Sequence, residues 1–371
     1  LLYLLMRIGI LTNSLGHNYG GVLQNWALQQ VIKSLGHQSV SIDWRQRNAE
    51  WVYFFRAVVS CTLRRCLGHK TEFPHSPYWK NPKFSGLRRF VEHKINITRP
   101  LFKNKVIGYA KTNFSIVIVG SDQVWRPLYI RPIEMMFLPY RKRLGMKKIA
   151  YAASFGTEKN EFTGEELLTC KKLLNDFDSV SVREKSGVKQ CLDYFDYKDA
   201  KLVLDPTLLI EKEDYMSLCK DIDPDDVGFV FAYILDSNET LEGKGKALAD
   251  KLGIPFKLLS ADASIVSDDT IENWLAAFRD AKYIVTDSFH GTVFSIIFKK
   301  PFATVYNTER GTARIDNLIS IFPSISERII DVNIHELPSE IMDFADITTE
   351  LIRHKQSSIE FLRSSISGRK K

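Results

Sequence analysis

Two runs of short apolar segments alternate with helix-period segments, one before and one after Asp205-Pro206, and this rhythm restricts the chain to α/β architectures. The first run opens with "RIGILT" from Arg7, which reads as a buried strand. The loop 13–21 follows, and then Val22, Leu23, Trp26, Ala27, Val31 and Leu35 recur at helical spacing until Gly36, before the alternating "QSVSIDW". Such a β-α-β unit favours a parallel sheet with a right-handed crossover. "FSIVIVG", "KKIAYAASFG", the helical "EELLTCKKLLNDF", "DSVSVRE" and "KLVL" continue the pattern. After the polar turn "DIDPDDVG" a second set begins: "FVFAYIL", a helix near 240–252, "PFKLLS", the helix "TIENWLAAFRDA", "YIVTD", a helix from Gly291 to Lys299, and "FATVY". The expected fold is α/β, with two Rossmann-like domains facing a cleft (GT-B-like). The N-terminal domain is expected over 6–206 and the C-terminal domain over 207–340, with a helix over 341–371 packing across the two.

Charge is distributed unevenly on this frame. Between Arg56 and Lys105 stand Arg56, Arg64, Arg65, Lys70, Lys80, Lys83, Arg88, Arg89, Lys94, Arg99, Lys103 and Lys105, against only Glu72 and Glu92, in a chain whose net charge is +7. The segment 51–106 fits neither period well and carries Pro74, Pro77 and Pro82, so it reads as a basic inserted flap in the first domain. Its amphipathic start, "WVYFFRAVVSCTLRRCL", is compatible with the headgroups of the inner membrane, or with a solvated lid. Nucleic acid is not the expected partner, because no recognition helix or RNP-type aromatic pattern is present. No apolar run reaches the ~20 residues that cross a bilayer. Leu1 to Leu5 lack the basic and small-residue flanks of a signal peptide, and Met6 reads as the natural start. Cys61, Cys66, Cys170, Cys191 and Cys219 show no metal-ligand spacing, and reduced cytoplasmic thiols are expected.

Ligands of open α/β sheets sit at the carboxyl ends of strands, where helix N-termini present free N–H groups. In "YIVTDSFHGTVFSIIF" a strand gives way to a turn carrying Ser288, Phe289 and His290, with a helix expected from Gly291 or Thr292, a place shaped for phosphate or carboxylate. Arg183 occupies a matching strand-to-helix position in "DSVSVREKSGV", where it could grip an anion with two parallel bonds or pair with Glu184. Arg310 and Arg314, in "YNTERGTARIDNL", could complete an anion pocket or sit in a solvated basic loop. "VIVGSDQVWRP" offers Ser121, Asp122, Gln123 and Trp125, a set suited to a sugar or, equally, to a turn with Trp125 in the core. The opening loop, with Gly16, Gly20 and Gly21, makes neither GxGxxG nor GxxxxGK[ST], so a dinucleotide or P-loop site is not expected. Neither HExxH nor GxSxG is present, and no metal site is expected.

Taken in order, "RIGILTNSLGHNYGGVLQNWALQQVIKSLGH", "FSIVIVGSDQVW", "YAASFG", "DSVSVREKSGV", "LDPTLL" and "TDSFHGTVFSIIFKKPF" resemble the polysaccharide pyruvyl transferases. The resemblance implies transfer of pyruvate as a ketal from phosphoenolpyruvate to a sugar of a cell-surface polysaccharide or a lipid-diphosphate-linked precursor, with release of phosphate. Phosphoenolpyruvate is then a co-substrate and no cofactor is needed. It also implies that the family's histidine matches His290 and its "VRE" arginine matches Arg183. One position departs: many members carry arginine where this chain has Ser288. On this reading the donor is held by Arg183, Ser288, His290, Gly291, Thr292 and Arg310 or Arg314. His290 acts as general acid and Asp122 as a possible base, while His17, Asn18, Tyr19, Ser121, Gln123 and Trp125 face the acceptor. The rival readings are a nucleotide-sugar-dependent glycosyltransferase of the same architecture and a non-catalytic, membrane-associated anion-binding subunit.

Overall fold

A computed structural model describes residues 5–16, 18–45, 58–66, 84–102, 104–142, 145–236, 238–260, 270–307, 311–334, 336–340 and 342–368. The strands are β1 (Arg7–Leu11), β2 (Gln38–Ser41), β3 (Trp44–Arg45), β4 (Leu101–Phe102), β5 (Ile116–Val119), β6 (Lys147–Ala153), β7 (Ser179–Val182), β8 (Lys201–Leu202), β9 (Val230–Ile234), β10 (Phe256–Ser260), β11 (Tyr283–Thr286), β12 (Phe302–Val305) and β13 (Ile329–Ile330). The helices are α1 (Tyr19–Ser34), α2 (Ser85–Lys94), α3 (Asn104–Asn113), α4 (Gly164–Leu174), α5 (Lys185–Asp193), α6 (Lys212–Leu218), α7 (Glu239–Leu252), α8 (Ile271–Asp280), α9 (Phe289–Ile297), α10 (Ala313–Ile321) and α11 (Ala345–Ser367). One parallel sheet has the order β2-β1-β5-β6-β7-β8 and a second β10-β9-β11-β12-β13, the two-domain α/β arrangement that the strand–helix alternation dictates.

Period-two alternation decides which side chains meet. Along β1 and β5, Ile8, Ile10, Ile116 and Ile118 turn to one face of the first sheet, and Leu11, Val117 and Val119 turn to the other. The second group packs with Trp125, Phe137, Phe155 and Phe195 inside the first domain. The first group joins α1 and then continues without a break into Trp274, Phe278, Phe294, Phe231 and Tyr233 of the second domain. The seam between the domains is therefore floored by apolar contact: Tyr19 stacks on Trp274 (ring centroids 5.7 Å apart) and Trp26 packs on Tyr215 (5.6 Å).

Part of the basic segment is structured. Residues 58–66 are helical, and α2 buries Leu87, Phe90 and Val91 against α1 and α8, so 84–102 belongs to the packed body rather than to a loose flap. The spacing of those three residues is helical, and the surrounding arginines masked it. Residues 104–106 open α3, and the rest of the expected flap lies outside the described residues. At the other end of the chain, α11 buries Ile347, Ser358, Leu362 and Ile366, and the Ser358 hydroxyl accepts from Leu204 N at 3.0 Å. Lys147 of β6 donates to the terminal carbonyls of Ser365 and Ile366 at 3.1 and 2.7 Å, a cation placed where the helix dipole favours one.

Candidate functional site

In each sheet the order of strand addition reverses beside the first strand, with β2 and β5 flanking β1, and β10 and β11 flanking β9. Loops leaving strand carboxyl ends at such a reversal diverge and open a crevice for ligands. Here the loops of the two reversals meet. The first domain brings Thr12, Asn13, Ser121 and Asp122: the Thr12 hydroxyl donates to Ser121 O at 2.8 Å, and Asn13 Nδ2 donates to Asp122 Oδ2 at 3.3 Å. Asp122 adopts the left-handed conformation (φ 82°), its carbonyl accepting from Val124 N and Ser154 N at 2.7 and 3.0 Å. That turn is what points its carboxylate back across the sheet end.

The second domain brings His290. Helix α9 begins at Phe289, two residues earlier than expected, because the Ser288 side chain caps it by accepting from Gly291 N at 3.2 Å. Thr292 donates its hydroxyl to Ser288 O at 3.0 Å and its N–H to the same carbonyl, and it sits beside the Thr304 hydroxyl. The N–H groups of Gly291 and Thr292 expected to bind the donor are thus already engaged. Ser288 stands as the cap, and His290 projects from the first turn of the helix.

Arg183, between β7 and α5, is the hub of the site. Its guanidinium donates to Asp205 Oδ2 at 2.6 Å, to Asp122 Oδ1 at 2.9 Å and to Gln24 Oε1 at 3.3 Å, with Glu184 Oε2 at 3.9 Å from Nε. Both terminal nitrogens are committed to carboxylates and the side chain is buried, so Arg183 organises the site instead of offering a free fork to an anion, which corrects its expected role. Burial would push the Asp122 carboxyl up, but Arg183, helped by His290 and Arg314, outweighs it and holds it at about 2. A carboxylate held that low is a weak proton acceptor at neutral pH, and in this structure Asp122 stands as an ion-pair partner of Arg183.

His290 lies 6 % exposed, with Nε2 at 3.9 Å from Asp205 Oδ2 and, among the described residues, without a hydrogen-bond partner. Burial drives its pKa down to about 4; Asp205 and Asp122 pull it back up, while Arg183 and Arg314 add to the fall. The resting imidazole is therefore neutral at pH 7. Its ring is pressed by the backbone of α1: a Cβ on Gly20 would stand 2.0 Å from Nδ1. Phe289 beside it carries two cations, with Arg183 and Arg314 Cζ at 5.1 and 5.5 Å from the ring centroid. Burial and Arg183 bring Arg314 down to about 10, still charged at neutral pH.

Several expected acceptor residues serve packing. Asn18 is the N-cap of α1, accepting from Gly21 N at 3.0 Å, and Tyr19 is held in the aromatic seam. Trp125 is 0 % exposed, stacked on Phe137 with Nε1 donating to Met136 O at 3.0 Å, so no ring face is open to a sugar. Ser121 donates to Ala152 O at 3.1 Å, and Gln123 accepts from Arg126 at 3.1 Å. His17 and Arg310 lie outside the described residues. Sequence reasoning missed Asp205, Gln24 and Asn13. Asp205 was visible only as a break before Pro206, although an aspartate ahead of a proline-started turn is also a cap, here accepting from Thr207 N at 3.0 Å.

Among the described residues no group of three His, Cys, Asp or Glu is placed to hold a metal ion, and no helix is long and apolar enough to cross a membrane. No curated protein matches the chain. Solved structures share its fold. A putative UDP-N-acetylglucosamine 2-epimerase from Listeria monocytogenes superposes with TM-score 0.50 at 8% identity, over 98% of this chain and 91% of its own. A UDP-GlcNAc 2-epimerase from Neisseria meningitidis gives 0.48 at 8% identity, over 96% and 94%. The wall teichoic acid polymerase TagF gives 0.41 at 11% identity, over 97% and 83%. The two parallel sheets make a two-domain α/β fold, and the Listeria structure shares it. The sequence of this chain matches the polysaccharide pyruvyl transferase description over residues 18–309, which takes in the Arg183 hub, Asp205 and the α9 turn, and the chain therefore belongs to the polysaccharide pyruvyl transferase family.

Proposed function

We propose that the donor is phosphoenolpyruvate, that its pyruvyl carbons are transferred to a sugar of a polysaccharide or lipid-diphosphate-linked precursor, and that His290 moves the proton the reaction requires. The supporting observation is a buried imidazole at the meeting of two sheet reversals, its Nε2 unbonded among the described residues and 3.9 Å from Asp205. Chemistry at the donor starts with a proton on the methylene carbon, which leaves a cationic centre at the carbon bearing the phosphate. A sugar hydroxyl adds there and releases its proton, the C–O bond to phosphate breaks, and a second hydroxyl of the same sugar closes the ketal and loses its proton. One of the two released protons restores the acid; the other leaves with phosphate.

A neutral histidine held near 4 becomes an acid only when negative charge arrives beside it. Phosphoenolpyruvate, carrying a phosphate and a carboxylate, supplies that charge and raises the imidazole pKa towards the working range, so protonation is coupled to donor binding. Arg314, charged and resting on Phe289 beside His290, suits the donor's phosphate. The exposed Val59 and Leu63 of helix 58–66, next to Arg64 and Arg65, suit an acceptor presented at an anionic lipid surface in the cytoplasm.

The test is phosphate release from phosphoenolpyruvate with a panel of sugar acceptors. His290→Asn is expected to lose on the order of a hundredfold or more in turnover. Near-normal release by the variant, or thermal stabilisation of the wild type by nucleotide sugars and not by phosphoenolpyruvate, overturns the reading.

A further inference from the structure

The rim of the site holds one exposed aromatic ring that neither the family match nor the proton chemistry uses. Tyr129 is 45% exposed and Leu128 beside it is 65% exposed, in a turn that follows the buried Trp125. Arg126 holds the ring: its Cζ lies 4.5 Å from the ring centroid, and its Nη1 donates to the Tyr129 hydroxyl at 3.0 Å. Arg126 is in turn fixed by Glu161, at 3.1 Å, and by Gln123 Oε1, at 3.1 Å. An exposed tyrosine whose position is set by a buried, doubly anchored arginine has lost little freedom that a ligand would have to take away.

Its location ties it to the reacting centre. Gln123 rests against Gly156, where a Cβ would fall 1.9 Å from its Oε1, and Gly156 in turn abuts Gly311, two residues before α10. Helix α10 carries Arg314, which feels the Tyr129 hydroxyl electrostatically and lies over Phe289, next to His290. Tyr129 is thus a first-domain residue within electrostatic reach of the cation that rests beside His290. Arg126 is the group placed against the ring, Gln123 and Glu161 fix Arg126, and a pyranose offers an apolar C–H face that suits an exposed aromatic ring.

We propose that Tyr129 is the acceptor platform: a pyranose of the acceptor stacks on its exposed ring, which Arg126 fixes in place. This assigns to Tyr129 the stacking role that the buried Trp125 cannot fill, and it rests on the sugar-acceptor part of the function proposed above. The hydrophobic contact of Leu128 extends the platform towards the next residue of an acceptor chain.

Saturation-transfer NMR of the full chain without donor tests it, using the methyl β-pyranosides of glucose, galactose, mannose and N-acetylglucosamine as probes. The wild type is expected to transfer saturation to the ring C–H protons of at least one probe, Tyr129→Ala to lose that transfer, and Tyr129→Phe and Tyr129→Trp to keep it. In turnover with the same sugar, Tyr129→Ala raises the acceptor KM by about tenfold, the worth of one aromatic contact, while the donor KM stays unchanged. Equal transfer to wild type and Tyr129→Ala, no transfer to any probe on the wild type, or loss in Tyr129→Phe equal to that in Tyr129→Ala overturns the proposal. Calorimetry with phosphoenolpyruvate separates the two readings: absent donor heat with sugar transfer retained sinks the donor and leaves the platform standing.

Discussion

At the scale of the residue, the site is a problem of placing charge where water is scarce. Arg183 neutralises two buried aspartates, and both terms of that balance are visible in the carboxyls: burial pushes Asp205 and Asp122 up, and the guanidinium brings them below their usual range. His290 faces Asp205, Asp122, Arg183 and Arg314 and remains neutral. Its folded value of about 4 lies below the ordinary 6.5, so the unfolded chain takes up the proton first. Its contribution is accordingly present above pH 6.5, is lost as pH falls from 6.5 to about 4, and levels off below that; Asp122 then adds a loss between 3.8 and about 2. The histidine term amounts to roughly 3 kcal/mol, from about 1.4 kcal/mol per pKa unit. Urea unfolding at pH 7, 5.5 and 4.5 should show this slope in the wild type and a flatter one in His290→Asn; an unchanged slope in the variant rules it out. His290 and Arg183 were legible in the sequence because each follows a strand. Asp122 was legible too, but its pairing with Arg183 was not, nor were Asp205 and Gln24, because the three lie 61, 22 and 159 positions from Arg183 and only the sheet order brings them together.

At the scale of the element, helix starts decide the geometry. The α9 boundary was misplaced by two residues for a physical reason: Ser288 was weighed as a ligand group when its side chain was needed as the cap. Helix α1 shows the reverse case. Its paired glycines make no phosphate-loop motif: Gly20 lies where the helix backbone touches the His290 ring, and Gly21 has only ordinary contacts, the nearest at 3.6 Å. Gly20→Ala should therefore destabilise by about 1–3 kcal/mol through overpacking, while Gly21→Ala should be neutral or stabilise by up to about 1 kcal/mol through helix propensity. Paired denaturant titrations check this, and equal effects at the two positions would contradict the packing account. Strands β1, β5, β7, β9 and β11 were all legible from apolar runs and alternation. Helix α2 was not, because its arginines and histidine hid a stripe of three buried residues.

At the scale of the whole molecule, the two sheets share one core. The apolar cluster that starts on β1 and β5 passes through α1 to α8 and α9 and ends under α11. Calorimetric unfolding is therefore expected as one cooperative transition, and two resolved transitions would show that the seam is too weak to couple the domains. The polar side of the seam is narrower. Asn317 of α10 accepts from Lys185 N at 3.2 Å and donates to Arg183 O at 2.9 Å, so one amide from the second domain holds the main chain immediately around the arginine that organises the first. The joint between the domains and the charge hub thus share one short segment. Moving α10 away would leave Arg183 O and Lys185 N to find water in place of a single amide, so the position of the second domain bears directly on the chain that carries the guanidinium.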